Sequence, residues 1–275
     1  MVFDDPWADP IAVLVAEEDE TPVGFVCAVT RRGEAEEGKP TVYIKALCFD
    51  SAVPDAAAFL VESVLSAARL VGAARVRFGR YRGVSYFIPG VDVRYERLVR
   101  FFEDGKWEMI EELADAVVDL VAWKPGDEVR AKLRAAEDRG VGVYRYEPEM
   151  LEKMRQFISD KGFPEYFRHF FREGWDVDWL VPRNAVVAML KGEIVGYGEF
   201  RPNSMGGEFG PAAVLEEFRE QGIGTAILLK AMTIMKDGGT PRATASWVWP
   251  REYYIRNGWR ISRRYNVYEK NMERE

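Results

Sequence analysis

The stretch Phe218–Ala226, FREQGIGTA, runs directly into the apolar segment ILLKAMTIM. Glycine inside a helix costs about 1 kcal/mol relative to alanine, so two glycines at a helix start imply that backbone must approach something closely. The first helical turn also carries N–H groups without intrahelical partners and the positive end of the macrodipole, which together make an anion site. Arg219, Gly222 and Gly224, spaced R-x-x-G-x-G, therefore suit a phosphate-bearing ligand. The plainer alternative is a flexible loop ahead of a core helix.

The surrounding elements favour the first reading. An extended segment within GGEFGPAAVLEEFREQGIGT (206–225) ends at Val214 and Leu215, just before the glycine loop. Beyond the loop, Ile223, Ile227, Ala231 and Ile234 recur at helical spacing and give a face that can pack on a sheet. Strand, glycine loop and helix in that order are what an anion cradle requires.

The chain has 275 residues, 48% hydrophobic and 30% charged, a folded composition with room for two domains. Its formal net charge of -7 argues against non-specific binding of nucleic acid or an anionic membrane. The start, MVFDDPWADP, is acidic without an apolar signal core, and no apolar run is long enough to span a bilayer, so a cytoplasmic protein is expected. Cys27 and Cys48 lie in strand-like apolar runs and read as buried free thiols; no metal-ligand spacing exists. Glutamine occurs only at Gln156 and Gln221 while Glu, Lys and Arg abound, a bias that suits a thermophile.

Two blocks recur in the same order. IAVLVAEEDETPVGFVCAV (11–29) and AVVAMLKGEIVGYGEF (185–200) are both strand–turn–strand, with Gly24 and Gly196 in corresponding places. VRFFEDGKW (99–107) and REYYIRNGW (251–259) are both a short aromatic helix, a turn and a tryptophan, each followed by an alternating strand. An internal duplication follows. The expected organisation is a first lobe over 1–123, a linker with a charged, solvent-exposed helix over 124–140, and a second lobe over 141–275. The fold class is α/β (α+β), two lobes each with a mixed central sheet flanked by helices.

The second lobe resembles the GNAT superfamily of N-acetyltransferases. Arg219, Gly222 and Gly224 match its Q/R-x-x-G-x-G/A coenzyme motif, and Tyr253–Trp259, YYIRNGW, resembles its downstream F-Y-x-x-x-G-F block. The resemblance covers 143–270 well and the first half more faintly. It implies acetyl-CoA as cosubstrate, a splayed strand pair in each lobe, and pyrophosphate binding by the N–H groups of Gln221, Gly222, Ile223, Gly224 and Thr225. It further implies that the backbone at Val214 and Leu215 is free to pair with the pantetheine arm, and that Tyr254 is the general acid. Glu199 and Glu208, on the third and fourth strands, are the carboxylates best placed to act as general base. No metal, nucleic acid or membrane is implied; a small-molecule or peptide amine would be the acceptor, and the protein would be a monomer of paired lobes or a homodimer.

His169, the only histidine, lies between helical aromatics in EYFRHFFREG and reads as a packing or helix-surface residue. Phe163, Tyr166, Phe170, Trp175 and Trp179 sit where helices wall the acceptor site in the family, although core packing would account for most of them. In the first half, TVYIKALCFD (41–50) stands in for the coenzyme strand, but SAVPD replaces the glycine loop and Phe102 replaces the tyrosine. That half is expected to be a degenerate lobe, with GVSYFIPGVDVRYERL (83–98) able to lend a loop to the acceptor pocket. Two other functions share these features: a coenzyme-A-binding sensor without turnover, and an acyltransferase in thiol-cofactor biosynthesis.

Overall fold

The computed structural model describes residues 8–36, 38–81, 89–160 and 184–273. Two compact units emerge, one formed by Met1–Leu113 with Arg263–Glu275 and the other by Ala114–Ser262.

In the first unit the strands β1 (Ala8–Glu18), β2 (Thr21–Glu36) and β3 (Lys39–Phe49) pair antiparallel in sequence. Helix α1 (Pro54–Leu70) then crosses over, so that β4 (Arg75–Phe78) pairs with β3 in parallel. The two-residue strand β5 (Val91–Asp92) and helix α2 (Glu96–Asp104) follow. Gly24 on β2 lets α1 come close: a Cβ there would lie 2.9 Å from Leu60 Cδ1. The core is built from buried apolar residues of these strands and α1, including Val26, Val42, Leu60 and Val76.

In the second unit, strand β6 (Glu108–Asp119) contributes its last residues. Helix α3 (Asp127–Asp138), strand β7 (Gly142–Arg145) and helix α4 (Leu151–Asp160) come next. After the undescribed residues come β8 (Ala185–Leu190), β9 (Glu193–Arg201) and β10 (Gly207–Val214), then α5 (Ile223–Asp237), β11 (Arg242–Ala245), α6 (Arg251–Arg256) and β12 (Arg260–Asn271). β7, β8, β9 and β10 are antiparallel neighbours, β10 pairs β11 in parallel, and β11 pairs β6 antiparallel. The mixed sheet with flanking helices is as the sequence implied. The face predicted on α5 is present and broader: Leu228, Leu229, Met232 and Met235 are buried beside Ile223, Ile227 and Ala231, while Ile234 is half-buried.

The unit boundaries differ from the expected ones. β12 passes out of the second unit at Ser262, and its remaining residues pair with β4, from Tyr268 opposite Phe78 to Asn271 opposite Arg75. Helix α3, read from its charge as a solvated linker, buries Val129 and Ala136 in the second core and is part of that unit. Seven charged residues in twelve make the helix look solvated, yet Val129, Leu133 and Ala136 recur at helical spacing and seat it on the core.

The duplication is visible in atomic detail. Phe102 and Trp107 meet edge to face at 5.1 Å, and Tyr254 and Trp259 at 5.6 Å. In each pair the tryptophan N–H donates to the other's carbonyl, at 3.0 and 3.1 Å. A Cβ on Gly196 would lie 2.9 Å from Ile227 Cδ1, the counterpart of Gly24 against Leu60. Cys27 is buried and Cys48 exposed, both unbridged, so the expectation of a buried thiol fails at Cys48, whose side chain lies on the outer face of β3.

No helix among the described residues is long and apolar enough to cross a membrane. The returning strand places Tyr268 fully buried and stacked on Phe102, ring centroids 5.0 Å apart. Tyr268→Ala is therefore expected to destabilise the first unit by about 3–5 kcal/mol, read from denaturant unfolding, the scale of other large aromatic truncations.

Candidate active site

β10 and β11 are paired only at Gly207 opposite Ala243 and Glu208 opposite Thr244, after which they diverge. Two features force the divergence. The β10–β9 register shifts between Phe209 and Ala212, a bulge containing the Gly210–Pro211 pair, and Pro211 has no N–H to give a neighbouring strand. Meanwhile Val248 N–H donates to Ala114 O at 2.8 Å, keeping the chain after β11 along β6.

The open limb of β10 presents backbone to this fork. Leu215 N–H donates to Val195 O at 3.0 Å. Antiparallel pairs alternate between bonded and non-bonded, so Val214 opposite Gly196 and Ala212 opposite Gly198 turn their N–H and C=O groups away from β9, toward the fork. Val214 C=O accepts Arg219 Nε at 3.3 Å. The expectation for Leu215 is thereby corrected: β9 takes its N–H, and its side chain is buried in the core.

At the end of this limb a short 3-10 turn, Glu216–Phe218, leads to Arg219 and the start of α5. The first intrahelical bond runs from Ala226 N–H to Gly222 O, so the N–H groups of Ile223, Gly224 and Thr225 lack helical acceptors, and among the described residues no side chain caps them. Ile223 and Thr225 bury their side chains, so only their backbone is available here. Gln221 donates its side-chain amide to Glu217 O at 3.0 Å.

The two glycines differ in kind. Gly222 has φ of 84°, and a Cβ there would lie 2.7 Å from Lys132 O on α3. Gly224 has an ordinary helical backbone, and among the described residues a Cβ would meet nothing nearer than 3.7 Å. Packing among the described residues demands glycine at 222 but not at 224. An unexplained glycine beside uncapped N–H groups is a cradle that a side chain would obstruct, so these residues fit a bound pyrophosphate.

Glu199 is half-buried on β9, two residues from Tyr197, whose hydroxyl lies 3.4 Å from its carboxylate. Tyr197 in turn meets Phe157 of α4 edge to face at 6.0 Å, so Glu199 faces the α4 side of the sheet, beside the β10 bulge. Burial pushes its pKa up to about 7, with Arg201 and the Tyr197 hydroxyl pulling weakly the other way. Glu208 is exposed and paired with Arg201 at 2.8 Å, a surface ion pair. Tyr254 is half-buried on α6, and burial pushes its phenol up to about 12.

Tyr253 escaped the sequence reading. Its hydroxyl donates to Gly224 O at 2.7 Å, and burial raises its pKa well above the ordinary value. The signal was the change from Phe101-Phe102 to Tyr253-Tyr254 between the repeats, which adds two hydroxyls at once. His169, Phe163, Tyr166, Phe170, Trp175 and Trp179 lie outside the described residues, as do residues 83–88 of the proposed acceptor loop at 83–98. Among the described residues no group of His, Cys, Asp and Glu could hold a metal ion.

The first unit has the same fork with different contents. β3 and β4 pair from Thr41 opposite Arg75 to Ile44 opposite Phe78, and the β2–β3 register makes Lys45 a bulged residue at the branch. Lys45 is 1% exposed, its ammonium 4.5 Å from the ring centre of the buried Tyr81, a cation–π contact. In the second unit the bulge carries Gly210, where no described atom lies within 4 Å of a Cβ.

Residues 151–252 match the family described as Acetyltransferase (GNAT) family. That stretch of the second unit is therefore similar to the GNAT acetyltransferases. Similar solved structures include the GCN5-related glucosamine N-acetyltransferase region of a fungal multi-domain GH3 beta-N-acetylglucosaminidase, 19% identical with TM-score 0.75. That match covers 93% of this chain but 32% of the larger protein. A tandem GNAT protein from the clavulanic acid biosynthesis pathway is 13% identical with TM-score 0.64, covering 98% of this chain and 85% of that one. A GCN5-related N-acetyltransferase from Sphaerobacter thermophilus is 14% identical with TM-score 0.62, covering 92% and 78%. No match among curated proteins reaches significance.

The contrast between the glycines has a measurable consequence. Gly224→Val is expected to keep a near-native melting temperature while weakening coenzyme A binding roughly tenfold to a few thousandfold, the loss of one or two charge-assisted contacts. Gly222→Val is expected to lower the melting temperature as well, because it forces a left-handed backbone and collides with α3. Calorimetric titration and thermal melts on both variants separate the two roles.

Proposed function

We propose that the second unit transfers an acetyl group from acetyl-CoA to a primary amine of a small molecule or peptide, and that the first unit is a non-catalytic lobe. The observation that carries this reading is the open fork of β10 and β11, ending in an uncapped glycine helix start, with a carboxylate tuned to neutrality on β9.

When bound, acetyl-CoA would supply an acyl thioester. The N–H groups at 222–225 would hold its pyrophosphate, with Arg219 adding positive charge at the loop. The backbone of Ala212 and Val214 would bond the pantetheine arm as a missing strand, fixing the acyl group at the bulge. A primary amine arriving protonated must lose a proton before it can attack, and Glu199, half ionised near neutrality, suits that step directly or through water. Tyr254 holds its proton throughout the physiological range and would give it to the departing sulfur. Glu208, tied to Arg201 at the exposed rim, is the weaker candidate for base. In the first unit Lys45 and Tyr81 occupy the branch point and Phe102 has no hydroxyl, so neither strand pairing nor proton donation would be available there.

Release of coenzyme A thiol against a panel of primary amines tests the proposal; no release with any amine alongside tight coenzyme binding would favour a sensor. Tyr254→Phe is expected to lower turnover more than tenfold with near-native acetyl-CoA affinity, since the ring and its contact with Trp259 persist.

The pH profile tests Glu199 separately. Its carboxylate forms as pH rises through about 7, so kcat/KM is expected to climb over that window and level off above it. Glu199→Gln should abolish the climb and cost about 10²–10⁴ in rate. The same raised pKa makes the folded state bind more protons than the unfolded chain between 4.5 and 7, so stability falls as pH rises across that window. The Gln variant should accordingly gain in melting temperature over wild type at pH 8 and not at pH 4.

A further inference from the structure

The segment taken from sequence to be a linker is tied to the second unit at several points, two of them on the coenzyme loop. Trp123 Nε1 donates to Asn257 O at 3.1 Å, and its ring lies within 3.2 Å of where a Cβ would stand on Gly258, whose φ is 88°. Lys236, in the last turn of α5, donates to Trp123 O at 2.8 Å and Val121 O at 3.2 Å. The backbone of Lys132 on α3 backs directly onto Gly222. Arg139, at the C-terminal end of α3, donates from Nη1 to Gln221 O at 3.0 Å.

We infer that residues 120–139 form a clamp that sets the conformation of the coenzyme loop, with Arg139 as a positioning residue acting through the Gln221–Gly222 peptide. The inference rests on the coenzyme-loop reading given above. In a trans peptide the C=O and N–H point opposite ways. Drawing the Gln221 carbonyl toward α3 therefore removes a repulsive oxygen from the anion side and turns the Gly222 N–H toward it. Gly222 adopts the left-handed backbone this requires, and the Lys132 carbonyl leaves room for nothing larger. Arg139 is exposed, so its replacement leaves no buried gap.

The test uses the full chain and three readouts on Arg139→Met, which keeps an apolar stem without a donor, and Arg139→Lys, which keeps a charged donor. Amide hydrogen exchange in the absence of ligand should speed up in the Met variant over 219–226, with the melting temperature unchanged; unchanged exchange overturns the clamp. Coenzyme A affinity should fall about five- to thirtyfold in the Met variant and recover in part with Lys, while turnover at saturating acetyl-CoA stays within about twofold. The third readout separates positioning from direct attraction between Arg139 and a phosphate. The wild-type to Met affinity ratio should persist at 0.5 M salt, whereas its collapse toward one would mean that Arg139 acts by charge and would overturn the positioning role. Faster exchange in the Met variant together with no coenzyme A binding by wild type would retain the clamp and reject the coenzyme reading instead.

Discussion

The second unit is organised around a strand that must be bonded on one side and left open on the other. β10 keeps its ladder to β9 as far as Val214, yet loses β11 after Glu208. Unpaired backbone groups inside a sheet are costly unless something satisfies them. Three local devices make the opening tolerable: a bulge that turns the strand, a proline that has no donor to satisfy, and a glycine where a side chain would project. α5 depends on the same opening, because its first turn sits at the end of the free edge, held there by Gly196 and Gly198 admitting Ile227 against the sheet. A ligand that pairs with the edge and ends in a phosphate matches both halves of this arrangement.

The first unit shows the same frame with its fork filled by side chains. Its β-bulge is at the corresponding place, but the bulged residue is a buried lysine covered by a tyrosine ring. Phe102, in the place of Tyr254, is enclosed by Phe78, Phe101, Trp107 and Tyr268. Each change exchanges a polar or vacant position for packing. Filling the fork with packed side chains extends the apolar core of that unit, whose framework otherwise matches the second.

The local features were legible in the sequence because they are read from neighbours along the chain. Strand pairs, the glycine loop, the amphipathic α5 and the aromatic block all follow from spacing within about twenty residues. What escaped depends on contacts distant in sequence. The passage of β12 into the first unit cannot be read from an alternating pattern that looks alike throughout its length. α3 carries its charge on the outside and sets Val129, Ala136 and the partly buried Leu133 inside, so composition made it seem detached. Leu215 looked like a free strand residue because nothing local shows that β9 extends one pair further. The ranking of Glu199 over Glu208 likewise needed burial: one lies near the end of β9 and the other at the start of β10, but only Glu199 is withdrawn from water.

The R-x-x-G-x-G pattern itself proves to be two constraints written in one motif. Gly222 is explained from within, by a left-handed backbone pressed against Lys132 O, and would be glycine whatever the ligand. Gly224 has no such constraint among the described residues, whose atoms leave ordinary van der Waals space for a Cβ. A sequence match gives both positions equal weight, whereas the structure ties only Gly222 to the architecture of the loop. The same division runs through the two tyrosines. Tyr253 uses its hydroxyl on the Gly224 carbonyl and so helps to hold the helix start, while Tyr254, packed edge to face against Trp259, keeps its phenol protonated by burial. Adjacent residues of one short helix thus stand in different surroundings, one hydroxyl tied to the loop and the other ring packed on Trp259, where the first unit has Phe101 and Phe102.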